Sequence, residues 1–307
     1  MNGYIVGQQV INGLVLGAIY GLIAVGYTMV YGIMGMINFA HGDIYMISAY
    51  LAAIFLALLT GAGVQSVPVA LVLVLALTIL FTAFYGWTVE RVAYRPLRNS
   101  NRLAPLISAI GVSLILQNYV RISQGARNQG IPALIEGHVR VNAADGVTFV
   151  QVTYTQILIV SAALLSMGAL AWIMRHTTLG RSCRATQQDR VMAELLGINT
   201  DHIIATVFIM GAAMAAVAGL LVTLNYGSFD FFIGFVVGIK AFTAAVLGGI
   251  GSLPGAMLGG VILGLCESLF SGFVNTDYKD VFAFAVLILV LVVRPSGLLG
   301  HPEVEKV

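Results

Sequence analysis

Apolar residues in this chain come in long unbroken runs rather than in alternation. Residues 67–87, VPVALVLVLALTILFTAFYGW, contain no charged side chain. Such runs approach the roughly 20 apolar residues that carry a helix across a bilayer. A membrane β-barrel would instead alternate apolar and polar residues with period two. Judged by length and absence of charge, spans are predicted at about 8–31, 44–60, 67–87, 103–120, 155–174, 203–224, 235–251, 254–271 and 281–293. The predicted fold is all-α, a polytopic membrane helical bundle of about eight to nine spanning or half-spanning helices.

Composition agrees with that pattern and narrows the function. Hydrophobic residues make up 59% of the 307 and charged residues only 9%, against about 25% charged in average globular chains. The mean hydropathy is +0.95. The first charged side chain is Asp43, and no basic residue precedes the first apolar run, so a cleaved signal peptide is not expected. Cys183 lies in a polar segment and Cys266 in an apolar one, and the five histidines are scattered. Neither set suggests a disulfide, a metal site or a bound cofactor. Nothing in the chain points to nucleic acid as a partner.

The basic residues give the orientation. Arg91, Arg95, Arg98 and Arg102 fall in one segment, Arg175, Arg181, Arg184 and Arg190 in another, and Arg294 and Lys306 in the C-terminal tail. Span counting puts these ten of the fifteen basic residues on one side, which the positive-inside rule makes cytoplasmic. The segment 121–154 is then external, the N-terminus periplasmic and the C-terminus cytoplasmic. Within the external segment, VTFVQVTYT reads as a short strand.

The cytoplasmic stretch RATQQDRVMAELLGI, residues 184–198, is unusually polar for this chain. It reads as one short amphipathic helix, with Val191, Met192, Leu195 and Leu196 on one face and Arg190 and Glu194 at i, i+4 on another. Gly197 suits its end, and Thr200 or Asp201 suits the cap of the next span. A helix this short needs something to pack on: its own bundle, the bilayer, or a cytoplasmic partner. The only lysines are Lys240, Lys279 and Lys306, and none belongs to a GxxxxGK[ST] nucleotide loop. Uphill transport would therefore couple to an ion or use ATP hydrolysed by another subunit.

Several polar residues fall at membrane depth. Asn38, His41 and Asp43 interrupt MINFAHGDIYM, with Gly32, Gly35 and Gly42 nearby. Two readings fit: a turn with Asp43 capping the second span, or a broken helix at a solute pathway, whose free N–H groups favour a carboxylate. Lys240 and Glu267 are the clearest charges inside apolar runs, where an ionisable group costs at least about 2.5 kcal/mol without a partner or water. The turn sequence GSLPG lies between them, and helical rise places them about 18 and 21 Å from it. They are predicted to pair, or to share an aqueous cavity near the outer side. Gly251, Gly255 and Gly259, and likewise Gly260 and Gly264, repeat every four residues. In lipid that spacing brings helices close together, and it is read as packing rather than as a phosphate loop.

Four stretches together carry a family resemblance: GLIAVGYTMVYGIMGMINFAHGD (21–43), ERVAYRPLR (90–98), RATQQDRVMAELLGI (184–198) and AVLGGIGSLPGAMLGG (245–260). In order and spacing they resemble the LivH-type permease of bacterial branched-chain amino-acid ABC transporters, over nearly the whole chain. The resemblance implies one permease domain over 1–307, with an external loop at 121–154 and a cytoplasmic coupling region at 175–202. It implies a multi-pass protein of the bacterial inner membrane, not itself an enzyme, that passes leucine, isoleucine or valine. Its implied partners are a LivM-like second permease, two cytoplasmic ATPase subunits that consume the ATP, and a periplasmic solute-binding protein. Arg184, Asp189, Arg190, Glu194, Leu195 and Gly197 occupy the position that couples to the ATPase in such permeases. The segment departs from the EAA-x-x-x-G pattern of many import permeases, having only Ala193-Glu194 before Gly197. Asn38, His41, Asp43, Lys240 and Glu267 are the candidate translocation pathway. The competing readings are a permease of the same family for urea or short amides, and an ion-coupled carrier or channel. An intramembrane enzyme lacks any nucleophile–base spacing or metal motif.

Overall fold

The computed structural model describes residues 3–300 except 65, 99, 102, 131–133 and 143–148. Arg102, Lys306 and part of the external segment 121–154 therefore lie outside the described residues. The chain opens with α1 (Gly3–Met34), α2 (His41–Gly61) and α3 (Val67–Val89). The third helix does not stop at the expected loop. It runs on through a π-helical turn at Glu90–Tyr94 and a 3-10 turn at Arg95–Leu97. The Ser108 hydroxyl bonds the Ala93 carbonyl in that turn, at 3.0 Å.

Next come α4 (Leu103–Gln124), the strands β1 (Gln129–Gly130), β2 (His138–Asn142) and β3 (Phe149–Thr153), and α5 (Tyr154–His176). A capping box starts α5: Thr153 accepts from the Gln156 amide, and the Gln156 side chain accepts from the Thr153 amide. The remaining elements are α6 (Thr178–Gln188), α7 (Arg190–Leu195), α8 (Thr200–Tyr226), β4 (Ser228–Phe229), α9 (Ile233–Gly248), α10 (Leu253–Phe273) and α11 (Lys279–Val293).

Among the described residues, seven helices are long and apolar enough to cross a membrane: α1, α2, α3 with its extension, α4, α5, α8 and α10. With 16 and 15 residues, α9 and α11 reach only about 24 and 22 Å, less than the roughly 30 Å hydrocarbon core. They are the shorter members of the predicted eight to nine.

The bundle is organised around α1, where every residue from Gly17 to Val30 is buried. Around it, α3, α4 and α5 show apolar side chains such as Val72, Leu80, Phe84, Ile115 and Leu165 on the outside. Lipid tails are as apolar as leucine, so that exposure is not penalised in a bilayer.

The glycine repeat of α10 seats two neighbours within this chain. Gly260 and Gly264 lie against Gly13, Gly17 and Gly21 of α1, so closely that a Cβ on Gly260 would sit 2.5 Å from the Gly21 Cα. Gly255 and Gly259 face Ala244 and Gly248 of α9. Gly251 does not join this packing. With Gly249 it turns the chain between α9 and α10 at positive φ, +93° and +104°, a conformation that favours glycine.

The two ends of the bundle are chemically different. At one end β2 pairs antiparallel with β3, β1 pairs with β4, and the Gln8 side chain bonds both backbone groups of Gln151, at 3.1 and 2.8 Å. VTFVQVTYT thus supplies a strand over 149–153, as predicted. At the other end the arginine-bearing segments meet. Arg95 and Arg98, after α3, pair with Asp201 at the start of α8.

Candidate functional site

Lys240 on α9 and Glu267 on α10 meet across the α9–α10 hairpin. The Lys240 Nζ lies 2.6 Å from the Glu267 Oε1, and both side chains are almost fully buried. The Tyr20 hydroxyl of α1 donates to the other Glu267 oxygen at 3.0 Å. Burial makes this arrangement necessary, because neither charge is tolerable there without a partner. A third group joins them: the Asp280 Oδ1 of α11 is 2.5 Å from the same ammonium, with its own side chain 43% exposed.

The cluster lines a cavity of about 580 Å³ that also reaches Gln9, Asn12, Gln156 and Asn225, at the strand-bearing end of the bundle. Aliphatic side chains also line it, among them Leu16, Ile19, Val222, Ile233 and Val236. The geometry therefore contains both the predicted pair and the predicted cavity. Asp280 was not expected. It stands at the edge of an apolar run, where a charge is ordinary. The signal that points to it is Lys240 itself, a cation deep enough to attract every carboxylate in reach.

Asn38, His41 and Asp43 are all buried, but they do not line this cavity. Each holds a different neighbour. The Tyr94 hydroxyl donates to the Asn38 Oδ1 at 2.9 Å. The His41 ring lies edge-on to Tyr27, with centroids 4.9 Å apart, and against Gly26 of α1. Asp43 lies beside Ser113 and Gln117 of α4. Asp43 is not a cap: α2 begins at His41 after Ala40 with no side-chain cap, and Asp43 falls inside its first turn. The motif thus ties the turn between α1 and α2 to the π-helical turn and to α4.

The segment 184–198 differs from the single helix expected. Asp189 is extended (φ −157°, ψ 110°), ends α6 and caps α7, accepting from the Met192 amide at 3.0 Å. Aspartate favours a cap over a helix interior, because its side chain competes for nearby backbone donors. Arg184, on α6, reaches back to the Met174 carbonyl. Arg190 pairs with Glu194 at 3.3 Å, and Glu194 accepts from Thr200. Gly197 turns the chain at φ +85°. The cap of α8 is Asn199, accepting from the His202 amide at 3.0 Å, not Thr200 or Asp201. Asp201 is engaged elsewhere, with Arg95, Arg98 and, at 3.6 Å, Arg190.

On α7, Ala193 is buried, while Val191, Met192, Leu195 and the adjoining Leu196 are exposed, Leu195 by 77%. The apolar face is therefore not covered by the chain's own bundle. Beneath it Arg98, nearly buried, joins Glu90 of the π-helical turn to Asp201. Neither acid stands out in the sequence, since both lie at span ends. On α6 the Cys183 thiol is buried, and burial pushes its pKa up to about 11, which makes it a poor nucleophile at neutral pH.

Comparison with known proteins gives a consistent match. The family described as "Branched-chain amino acid transport system / permease component" matches residues 9–291. The high-affinity branched-chain amino acid transport system permease protein LivH of Escherichia coli K12 is 52% identical, over 98% of this chain and 97% of its own. BraD of Pseudomonas aeruginosa, with the same description, is 53% identical over the same shares. A probable LivH of Methanocaldococcus jannaschii is 25% identical over 91% of this chain and 88% of its own. No solved structure matches significantly. With these matches running almost end to end over the helices just described, the chain belongs to the family of branched-chain amino-acid transport permeases.

Proposed function

We propose that this chain is a membrane-spanning permease subunit of an ATP-driven importer that translocates leucine, isoleucine and valine delivered by a periplasmic binding protein. The observation that carries the reading is identity of 52–53% along 98% of the chain with permeases described for branched-chain amino acids. A cavity lined by both aliphatic and charged side chains suits such solutes, which are apolar in the side chain and zwitterionic in the backbone. The substrates undergo no bond change, and the ATP is used in partner subunits.

The arginine-bearing end is the cytoplasmic one by the positive-inside rule, so the N-terminus faces the periplasm and the C-terminus the cytoplasm. The external loop 121–154 then meets the binding protein. The coupling region 175–202 meets the ATPase through α7, with Leu195 and its apolar neighbours as the contact and with Asp189, Arg190, Glu194 and Gly197 setting the pose of that helix. Arg184 holds α6 to the end of α5. Lys240 and Glu267 line the pathway, and Asn38, His41 and Asp43 hold its α1–α2 turn. A second, LivM-like permease completes the membrane unit, together with two ATPase subunits.

The test is ATP hydrolysis by the assembled complex in liposomes. Stimulation by a leucine-loaded binding protein, and not by the empty protein, supports the reading. Stimulation only by a urea- or amide-loaded protein keeps the architecture and changes the substrate.

A further inference from the structure

The ion cluster holds one carboxylate more than its burial requires. Glu267, with Tyr20 behind it, already neutralises Lys240. Asp280 adds a second bridge from α11 while its own side chain stays 43% exposed, at the cavity's edge. The Asp280 side chain is thus partly open to solvent, whereas Glu267 is almost fully buried and is held by Tyr20 as well. Of the two bridges, the one to Asp280 is therefore the exchangeable one. Lys279 also lines the cavity, so two cations and two carboxylates border one space.

Aliphatic side chains line the same space, among them Leu16, Ile19, Val222, Ile233 and Val237. The cavity's volume of about 580 Å³ lies in the range of small-molecule sites. A space bordered by charges of both signs and by aliphatic side chains complements a zwitterion carrying an aliphatic side chain.

We propose that this cavity is a solute site within the permease itself, where the α-ammonium of an aliphatic amino acid takes the place of Lys240 on Asp280 and the solute's carboxylate receives Lys240. The exchange conserves charge: Asp280 trades Lys240 for the solute's ammonium, and Lys240 trades Asp280 for the solute's carboxylate. Glu267 and Tyr20 keep Lys240 in place throughout. The aliphatic lining selects the side chain, and α11 loses one tie to α9 while the solute is bound. The inference rests on the reading of the chain as an amino-acid permease.

Ser271 lines the same cavity and reports on it. In the full complex, with Cys183→Ala and Cys266→Ala, a Ser271→Cys variant is labelled from outside by a membrane-impermeant maleimide, without ATP. Leucine is expected to slow the labelling. 4-Methylpentanoate, which lacks the ammonium, and 3-methylbutylamine, which lacks the carboxylate, are expected not to. Asp280→Asn is expected to weaken protection about tenfold or more, as loss of a charge-assisted hydrogen bond does, and Asp280→Glu to restore most of it. Protection equal for leucine and both analogues overturns the proposal, and so does full protection in D280N. The analogue series decides the matter if D280N fails to assemble. Leucine uptake is measured in the same vesicles: ATP-driven uptake without protection rejects the site alone, whereas absence of uptake rejects the amino-acid permease reading beneath it.

Discussion

Glu267 accepts the Lys240 ammonium at 2.6 Å on one carboxylate oxygen and the Tyr20 hydroxyl at 3.0 Å on the other, tying α1, α9 and α10 together in the bundle interior. Lys240→Met leaves Glu267 buried beside Asp280 with no cation between them. It is expected to destabilise the assembled protein by about 3–5 kcal/mol. Glu267→Gln leaves Lys240 paired with Asp280 and is expected to cost less than half of that. The double variant should recover part of the Lys240→Met loss. Thermal unfolding of the purified complex measures all three, and strictly additive losses contradict the pairing.

Helix contact through glycine gives a second expectation. A Cβ on Gly264 would press into the α1 backbone at Gly17, whereas one on Gly168 of α5 meets nothing within 4 Å. Gly264→Ala should therefore destabilise by about 1–3 kcal/mol. Gly168→Ala should be neutral, or stabilise by up to about 1 kcal/mol through helix propensity. Equal melting shifts in the two variants would remove the close α1–α10 contact from the account.

At the arginine-bearing end of the bundle, Arg98 bridges Glu90 and Asp201. Arg98→Met strands Glu90 and is expected to cost about 3 kcal/mol, with Arg98→Met/Glu90→Gln costing less. Arg98→Lys keeps the charge but loses the planar fork that reaches both acids, and should fall between wild type and Arg98→Met. Denaturation of the detergent-purified complex ranks the variants. A double variant no more stable than Arg98→Met would show that the bridge is not what makes Glu90 tolerable.

The exposed apolar face of α7 predicts a separation of effects. Leu195→Asp should weaken ATPase association by about 2 kcal/mol or more, while permease stability changes by no more than about 0.5 kcal/mol. Co-purification of the ATPase with the variant permease reads the first quantity and thermal melting the second. Undiminished ATPase recovery would place the contact elsewhere.

Much of this was legible in the sequence for physical reasons. Lipid demands long apolar helices, so the spans announce themselves, and Lys240 and Glu267 stand out because a charge inside such a run needs a partner. The glycine–proline turn between them sets their common depth. Asp280, Glu90 and Asp201 carry no such signal, since charges at span ends are ordinary. Nor does pairing across 103 positions, as between Arg98 and Asp201, leave a local trace. The break at Asp189 is hidden because the apolar residues on either side keep a helical rhythm through it. The β1–β4 pairing, two residues on each side, is too short to predict from pattern.

The most direct test of the central claim is uptake of labelled leucine into proteoliposomes that hold this chain with its second permease and ATPase subunits, with a binding protein outside. The account predicts uptake that requires ATP inside, is competed by isoleucine and valine, and ignores urea. Uptake that proceeds without ATP, or that urea abolishes, would contradict it.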